Sequence, residues 1–142
     1  MTVEEAEKAI ARAEGLGLHG AGFMRSLGPE KVAVACNGVG PAGWPESRRR
    51  KLGRWLRVFR PAFDVHDCEF TYNNDGGLRG FVHANDELEA NCRIIADAEY
   101  CVLSPMRYLA RAGGAVVADL CRMFGWGPWI IAYEEGRRGA CA

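Results

Sequence analysis

Two stretches decide the fold: Pro61-Ala62-Phe63-Asp64-Val65-His66-Asp67-Cys68-Glu69-Phe70 and Phe81-Val82-His83-Ala84-Asn85-Asp86-Glu87-Leu88, joined through Asn74-Asp75-Gly76-Gly77. Pro61 suits the first turn of a helix, which is expected to run to about residue 73. Asn-Asp-Gly-Gly is a turn sequence, and a second helix is expected over about 82–102. A short link makes two such helices antiparallel neighbours. His66 then lies about two turns before the end of the first, and Asp86 about one turn into the second. At similar heights, an aspartate can hold one histidine tautomer by accepting its ring N–H. Asp67 is turned about 100° from His66 around the same helix, free to face a different element.

That element is upstream. Cys36-Asn37-Gly38-Val39-Gly40-Pro41-Ala42-Gly43-Trp44-Pro45 is dense in turn formers and is expected to be an irregular loop. Loop carbonyl oxygens combined with the Asp67 carboxylate make an oxygen-ligand set suited to a hard cation, Ca²⁺ in particular. Between loop and helix, Ser47 can cap a helix over 48–60. Leu52, Trp55, Leu56 and Phe59 fall there at i, i+3, i+4 and i+7, flanked by arginines. Seven cations and no acid occur between Arg48 and Arg60, whereas residues 61–99 are acid-rich. Arg54, Trp55 and Phe59 therefore suit contact with an anionic membrane surface. The competing reading puts the apolar stripe in the core and leaves the arginines solvated.

The remaining chain is also helical in pattern. Thr2 and Glu5 form a capping box for a helix over 2–14, which Gly15 and Gly17 stop. Residues 15–31 read as Gly-rich loop with a short turn at Met24–Leu27, and 31–35 as a short apolar stretch. Ser104-Pro105 starts a helix running to Phe124. Gly125, Gly127 and Pro128 end it, leaving a tail with Trp126, Trp129, Ile130 and Ile131, a cluster suited to closing the core or touching lipid or a partner. The class is all-α: two antiparallel helices carrying the candidate site, a Gly-rich loop beside them, and flanking N- and C-terminal helices. A small hairpin near 70–82 is the one exception allowed. No internal repeat is present.

At 142 residues the chain is expected to form a single domain, 1–142. Apolar residues make up 49% and charged residues 25%, with Lys+Arg equal to Asp+Glu. This balance gives no indication of a nucleic-acid partner. No apolar run reaches the roughly 20 residues of a membrane span. The N-terminus lacks the basic and apolar regions of a signal peptide, so the chain is expected in the cytoplasm as synthesised. The six cysteines are expected to be free thiols there, and none pairs in a Cys-x-x-Cys motif, which argues against structural zinc.

Gly38-Val39-Gly40, His66-Asp67-Cys68-Glu69-Phe70 and Asn85-Asp86-Glu87-Leu88, in this order, resemble the phospholipase A2 superfamily. The closest type is the short, disulfide-poor one of bacterial, prophage and parvovirus-capsid proteins. The resemblance covers residues 36–95. It implies a Ca²⁺ cofactor and hydrolysis of the sn-2 ester of phospholipids at a membrane surface. His66 matches the general base, Asp86 the acid that orients it, and Asp67 the calcium carboxylate. The backbone carbonyls of Cys36, Gly38 and Gly40 match the loop ligands, with the Gly38 amide available to an oxyanion hole. Phe70 stands where the family has a tyrosine beside the orienting acid, and Phe63 where the secreted enzymes place a cysteine tied to the loop. The alternative implied is a catalytically silent module of the same type, acting as a structural or binding part of a phage particle. Delivery in such a particle, or release by lysis, would bring the chain to lipid; the oligomeric state stays open.

Plainer readings accompany these. His66 can be a satisfied core histidine. His83 and His19 are lesser histidine candidates. Asp64 is an outer-shell acid or a first-turn charge favoured by the helix dipole. Cys36 with His66 can be read as a thiol–imidazole pair.

Overall fold

The computed structural model describes residues 1–36, 45–72 and 77–140. All regular structure among them is helical. The order is α1 (Val3–Gly15), α2 (Ala21–Leu27), α3 (Pro29–Ala35), α4 (Glu46–Trp55), a 3₁₀ turn (Arg57–Phe59), α5 (Arg60–Tyr72), α6 (Leu78–Glu99), α7 (Pro105–Phe124) and α8 (Trp126–Ala140). The all-α class is thus observed. Within the described part of 70–82 there is no strand, since α5 and α6 occupy both ends; the expected turn at 74–77 lies mostly outside the described residues.

Local chemistry places the helix ends. The capping box at α1 forms as expected: Thr2 Oγ1 accepts from the Glu5 amide at 3.1 Å, and Glu5 Oε2 accepts from the Thr2 amide at 2.8 Å. Ser104 Oγ accepts from the Met106 amide at the start of α7. The supposed loop at 15–31 instead folds into α2 and α3. Gly20 ahead of α2 and Gly28 between α2 and α3, with φ of 76° and 78°, supply the positive-φ turns at which these short helices start. Likewise the tail after Gly125 continues as α8, after a bend of 61° from α7.

The core gathers around α5. Pro61 through His66, then Cys68 and Glu69, are all buried. Ala6, Ile10 and Ala13 of α1, Met24 of α2, and Val32 and Ala35 of α3 belong to the same apolar cluster as Ala62, Phe63, Val65 and Cys68, and so do Leu88, Cys92, Ile95 and Ala96 of α6. Phe70 meets Phe81 near the 73–77 connection, with ring centroids 6.1 Å apart, as an antiparallel α5–α6 pair requires. α7 then packs along α6, closest at Gly114, where an added Cβ would lie 2.5 Å from the Cys92 Cβ.

The arginine-rich segment departs from the expected single helix over 48–60. α4 ends at Trp55, and the 3₁₀ turn breaks its rotation. Leu56 and Phe59 are consequently buried, 2% and 4% exposed. Phe59 is a core residue, so the membrane-surface role expected for it does not hold. Arg54 is exposed; the side chain of Trp55 lies outside the described part.

One polar clamp ties the N-terminal unit to α6. Asn91, 1% exposed, accepts from the His19 amide at 2.8 Å and donates to the His19 carbonyl at 3.0 Å. Asn91→Ala leaves both groups unmade and is expected to lower the unfolding free energy by about 1–3 kcal/mol. A shift of the urea midpoint at constant slope checks this; an unmoved midpoint contradicts it.

Candidate functional site

α6 buries Phe81, Ala84, Asn85, Leu88, Asn91, Cys92, Ile95 and Ala96, a stripe at helical spacing. Asn85 belongs to that stripe, and Asp86 is the next residue around, turned outward. Asp86 has 58% of its side chain exposed and accepts from Arg122 Nη2 of α7 at 2.7 Å. The group that faces His66 from α6 is Asn85. The expected His66–Asp86 pairing is therefore corrected to a His66–Asn85 juxtaposition. Apolar spacing within α6 contained the signal: 81, 84, 88, 92 and 95 mark the inward face, which takes in 85 and excludes 86.

His66 is buried, 8% exposed, and its ring stacks on Phe70 with centroids 4.3 Å apart. Phe70 in turn contacts Trp129 edge-on at 4.8 Å, and Phe81 lies against Trp126 and Trp129 at 5.3 and 5.9 Å. Phe70 of α5 is thus the ring against the histidine, and α8 backs Phe70 with Trp129, 1% exposed. Burial pulls the His66 pKa down to about 4, and the nearby Asn85 amide pulls the other way. The imidazole is neutral at neutral pH. The two side chains do not meet in hydrogen-bond geometry: His66 Nε2 and Asn85 Oδ1 are both without a hydrogen-bond partner, while Asn85 Nδ2 donates to the Phe81 carbonyl at 2.7 Å.

A pair of carboxyl groups overlooked in the sequence lies one turn along. Glu69 of α5 is 5% exposed and interacts with Glu87 of α6. Burial first, and then Glu87, push the Glu69 pKa up to about 9, so Glu69 is held as the neutral acid. Gly20 makes room for it, because an added Cβ there would come within 2.7 Å of both Glu69 Oε1 and Val65 Cγ1. Glu87 also lies 3.4 Å from Nε2 of the exposed His83. No spacing rule marks Glu69, which reads from sequence as an ordinary helical surface charge.

The other candidates separate. Asp64 is buried at 6%, with Arg60 Nε 3.8 Å away, and burial lifts its pKa to about 6. It is a core acid, not a solvated first-turn charge. Cys36 is buried, its thiol 3.9 Å from the Cys68 thiol and donating to the Asp64 carbonyl at 3.3 Å. Its pKa is raised strongly, first by Cys68 and then by burial, so it is an inert thiol and not half of a nucleophilic pair with His66. Asp67 is partly buried and has an interaction of its own. Of the expected calcium ligands, Asp67 and Cys36 are described; Gly38 and Gly40 lie outside the described residues. No group of three or more His, Cys, Asp or Glu side chains converges to hold a metal ion among the described residues. No protein-family model, curated protein or solved structure matches the chain.

The buried Glu69 proton makes stability pH-dependent. Folded Glu69 keeps its proton to about pH 9, whereas its ordinary value is 4.5. Between these the unfolded chain binds fewer protons, so stability falls as pH rises. His66 acts in the opposite sense, but only between about 4 and 6.5, and Asp64 acts between 3.8 and about 6. From pH 7 to 9 the Glu69 contribution is therefore isolated from these two, with a slope of at most about 1.4 kcal/mol per pH unit. Urea unfolding across that range should show a smaller decline for Glu69→Gln than for the wild type; parallel declines would refute the assignment.

Proposed function

We propose that the chain is a catalytically silent helical module, serving as a structural or binding part of a larger assembly. The observation that carries this reading is the direction of Asp86, which is drawn outward by Arg122 while an uncharged amide takes its place beside His66. A carboxylate opposite a histidine stabilises the imidazolium that forms as the base takes a proton, and an amide does not. In a serine-protease triad, that exchange costs on the order of 10⁴ in turnover. The base itself is also poorly matched to neutral pH. Efficient general bases have pKa values near the working pH, and burial holds His66 at about 4. Phe70, backed by Trp129, lies against the ring and further restricts the approach of an ester to it.

A second reading, calcium-dependent hydrolysis of the phospholipid sn-2 ester, is favoured by one observation. The neutral imidazole has an Nε2 with no hydrogen-bond partner and is next in sequence to Asp67. In that reading Asp67 and the carbonyls of Cys36, Gly38 and Gly40 would hold Ca²⁺, which supplies Lewis-acid polarisation of the ester carbonyl.

Mixed zwitterionic and anionic vesicles with millimolar CaCl₂ separate the two. The proposal predicts no fatty-acid release above the protein-free blank, with His66→Gln and Asp67→Asn indistinguishable from wild type. Calcium-dependent release that both substitutions abolish would establish the hydrolase instead.

A further inference from the structure

The arginines of α7 reach toward α6, and most of its large apolar residues point away from the domain. Arg107 and Arg111 both donate to Asp97 of α6, at 2.6 and 2.8 Å through their Nε atoms. Arg122 donates to Asp86 and Glu89 of α6 at 2.7 and 2.9 Å, and to Asp119 of its own helix at 2.7 Å. Gly114, Val117 and Ala118 are the buried residues of α7. The opposite side exposes Met106 (49%), Leu109 (63%), Val116 (57%), Leu120 (48%) and Met123 (71%).

With Gly113, whose Cβ position faces open space, these residues form the series 106, 109, 113, 116, 120, 123. The alternating steps of three and four are the seam of a two-helix coiled coil. The series is also its own mirror image about the midpoint between Gly114 and Ala115: methionine at each end, leucine next, then Gly113 and Val116 at the centre. Closed two-fold dimers require this kind of self-complementary patch.

We infer that the outward face of α7 is the interface of a two-fold, antiparallel dimer of this chain. Met106 then meets Met123 of the second copy, Leu109 meets Leu120, and Val116 fills the space that Gly113 leaves open. Asp119 falls opposite Ala110, and Arg107 and Arg122, which fall opposite each other, are both tied to α6 carboxylates. Together with Leu103 (89%) and Phe124 (68%) at the ends, the exposed area is on the order of 800 Å², what one partner contributes to a standard interface. A lipid surface fits less well. Interfacial helices carry cations free to reach head groups, and the arginines of α7 are tied to α6 carboxylates. No single helix is long and apolar enough to cross a membrane among the described residues, and α7 with the first part of α8 reaches that length and composition only as a pair bent by 61°. This dimer is independent of whether His66 is silent.

Light scattering on the full chain at tens of micromolar is the test. Wild type should give twice the 15.6 kDa chain mass. L109E and L120K should each give the single-chain mass, with helical circular dichroism unchanged. An equimolar mixture of the two variants should recover the doubled mass, because only the antiparallel register brings the introduced carboxylate of one against the introduced ammonium of the other. A single-chain mass for wild type overturns the inference, as does a mixture that stays at single-chain mass. Wild type that is monomeric in buffer yet floats with phosphatidylcholine vesicles also overturns it, in favour of lipid.

Discussion

A helix buried along nearly its whole length must hold any ionisable group it carries in the uncharged state or match it with a partner. α5 is such a helix, and it carries Asp64, His66 and Glu69 inward. Isolated charges at those depths would cost several kcal/mol each. The surrounding helices are arranged to avoid that cost. His66 is kept neutral, Glu69 keeps its proton in company with Glu87, and Asp64 has Arg60 within 3.8 Å. The order of packing around α5 follows from this requirement: α2 and its Gly20 turn against Glu69, α6 with Asn85 and Glu87 alongside, and α8 with Trp129 over the end.

The same requirement accounts for the polarity of α6. Its inward face carries only uncharged residues, apart from the partly buried Glu87, and its carboxylates at 86, 89 and 97 face α7 or solvent. The arginines of α7 answer them. Ion pairs this exposed contribute little stability individually. Their geometry agrees with the buried Gly114, Val117 and Ala118, and the two together set the rotation of α7 that turns its apolar stripe outward.

Helices with end signals were legible from residues alone. Thr2/Glu5 and Ser104-Pro105 marked the starts of α1 and α7, and the Gly/Asn-rich stretch at 74–77 marked the break between α5 and α6. α2 and α3 were hidden because each has only seven residues and starts at a glycine, Gly20 and Gly28, that reads as loop. α8 was hidden because Gly125, Gly127 and Pro128 are stop signals that here form a bend and a new first turn. At the site, His66 stood out in the sequence as chemically distinctive, and it is buried in the fold. The residue that faces it from α6 was missed by one position, and one position on a helix is about 100° of rotation. A motif match weighs residue type, and so favoured the carboxylate at 86; burial on α6 weighs the apolar spacing, and so took the amide at 85. For Phe59 the residues allowed both a surface and a core reading, and burial of Leu56 and Phe59 gives the core one.

Whether His66 is sealed and neutral or open and basic decides between a silent module and a hydrolase. Ring-nitrogen NMR of the ¹⁵N-labelled histidines, followed against pH with and without CaCl₂, measures this directly. His66 is predicted to stay neutral until the pH approaches about 4, with ring shifts that calcium leaves unmoved. Protonation near the ordinary 6.5, with a ring shift when calcium is added, would show a solvent-reached base beside a cation and contradict the account.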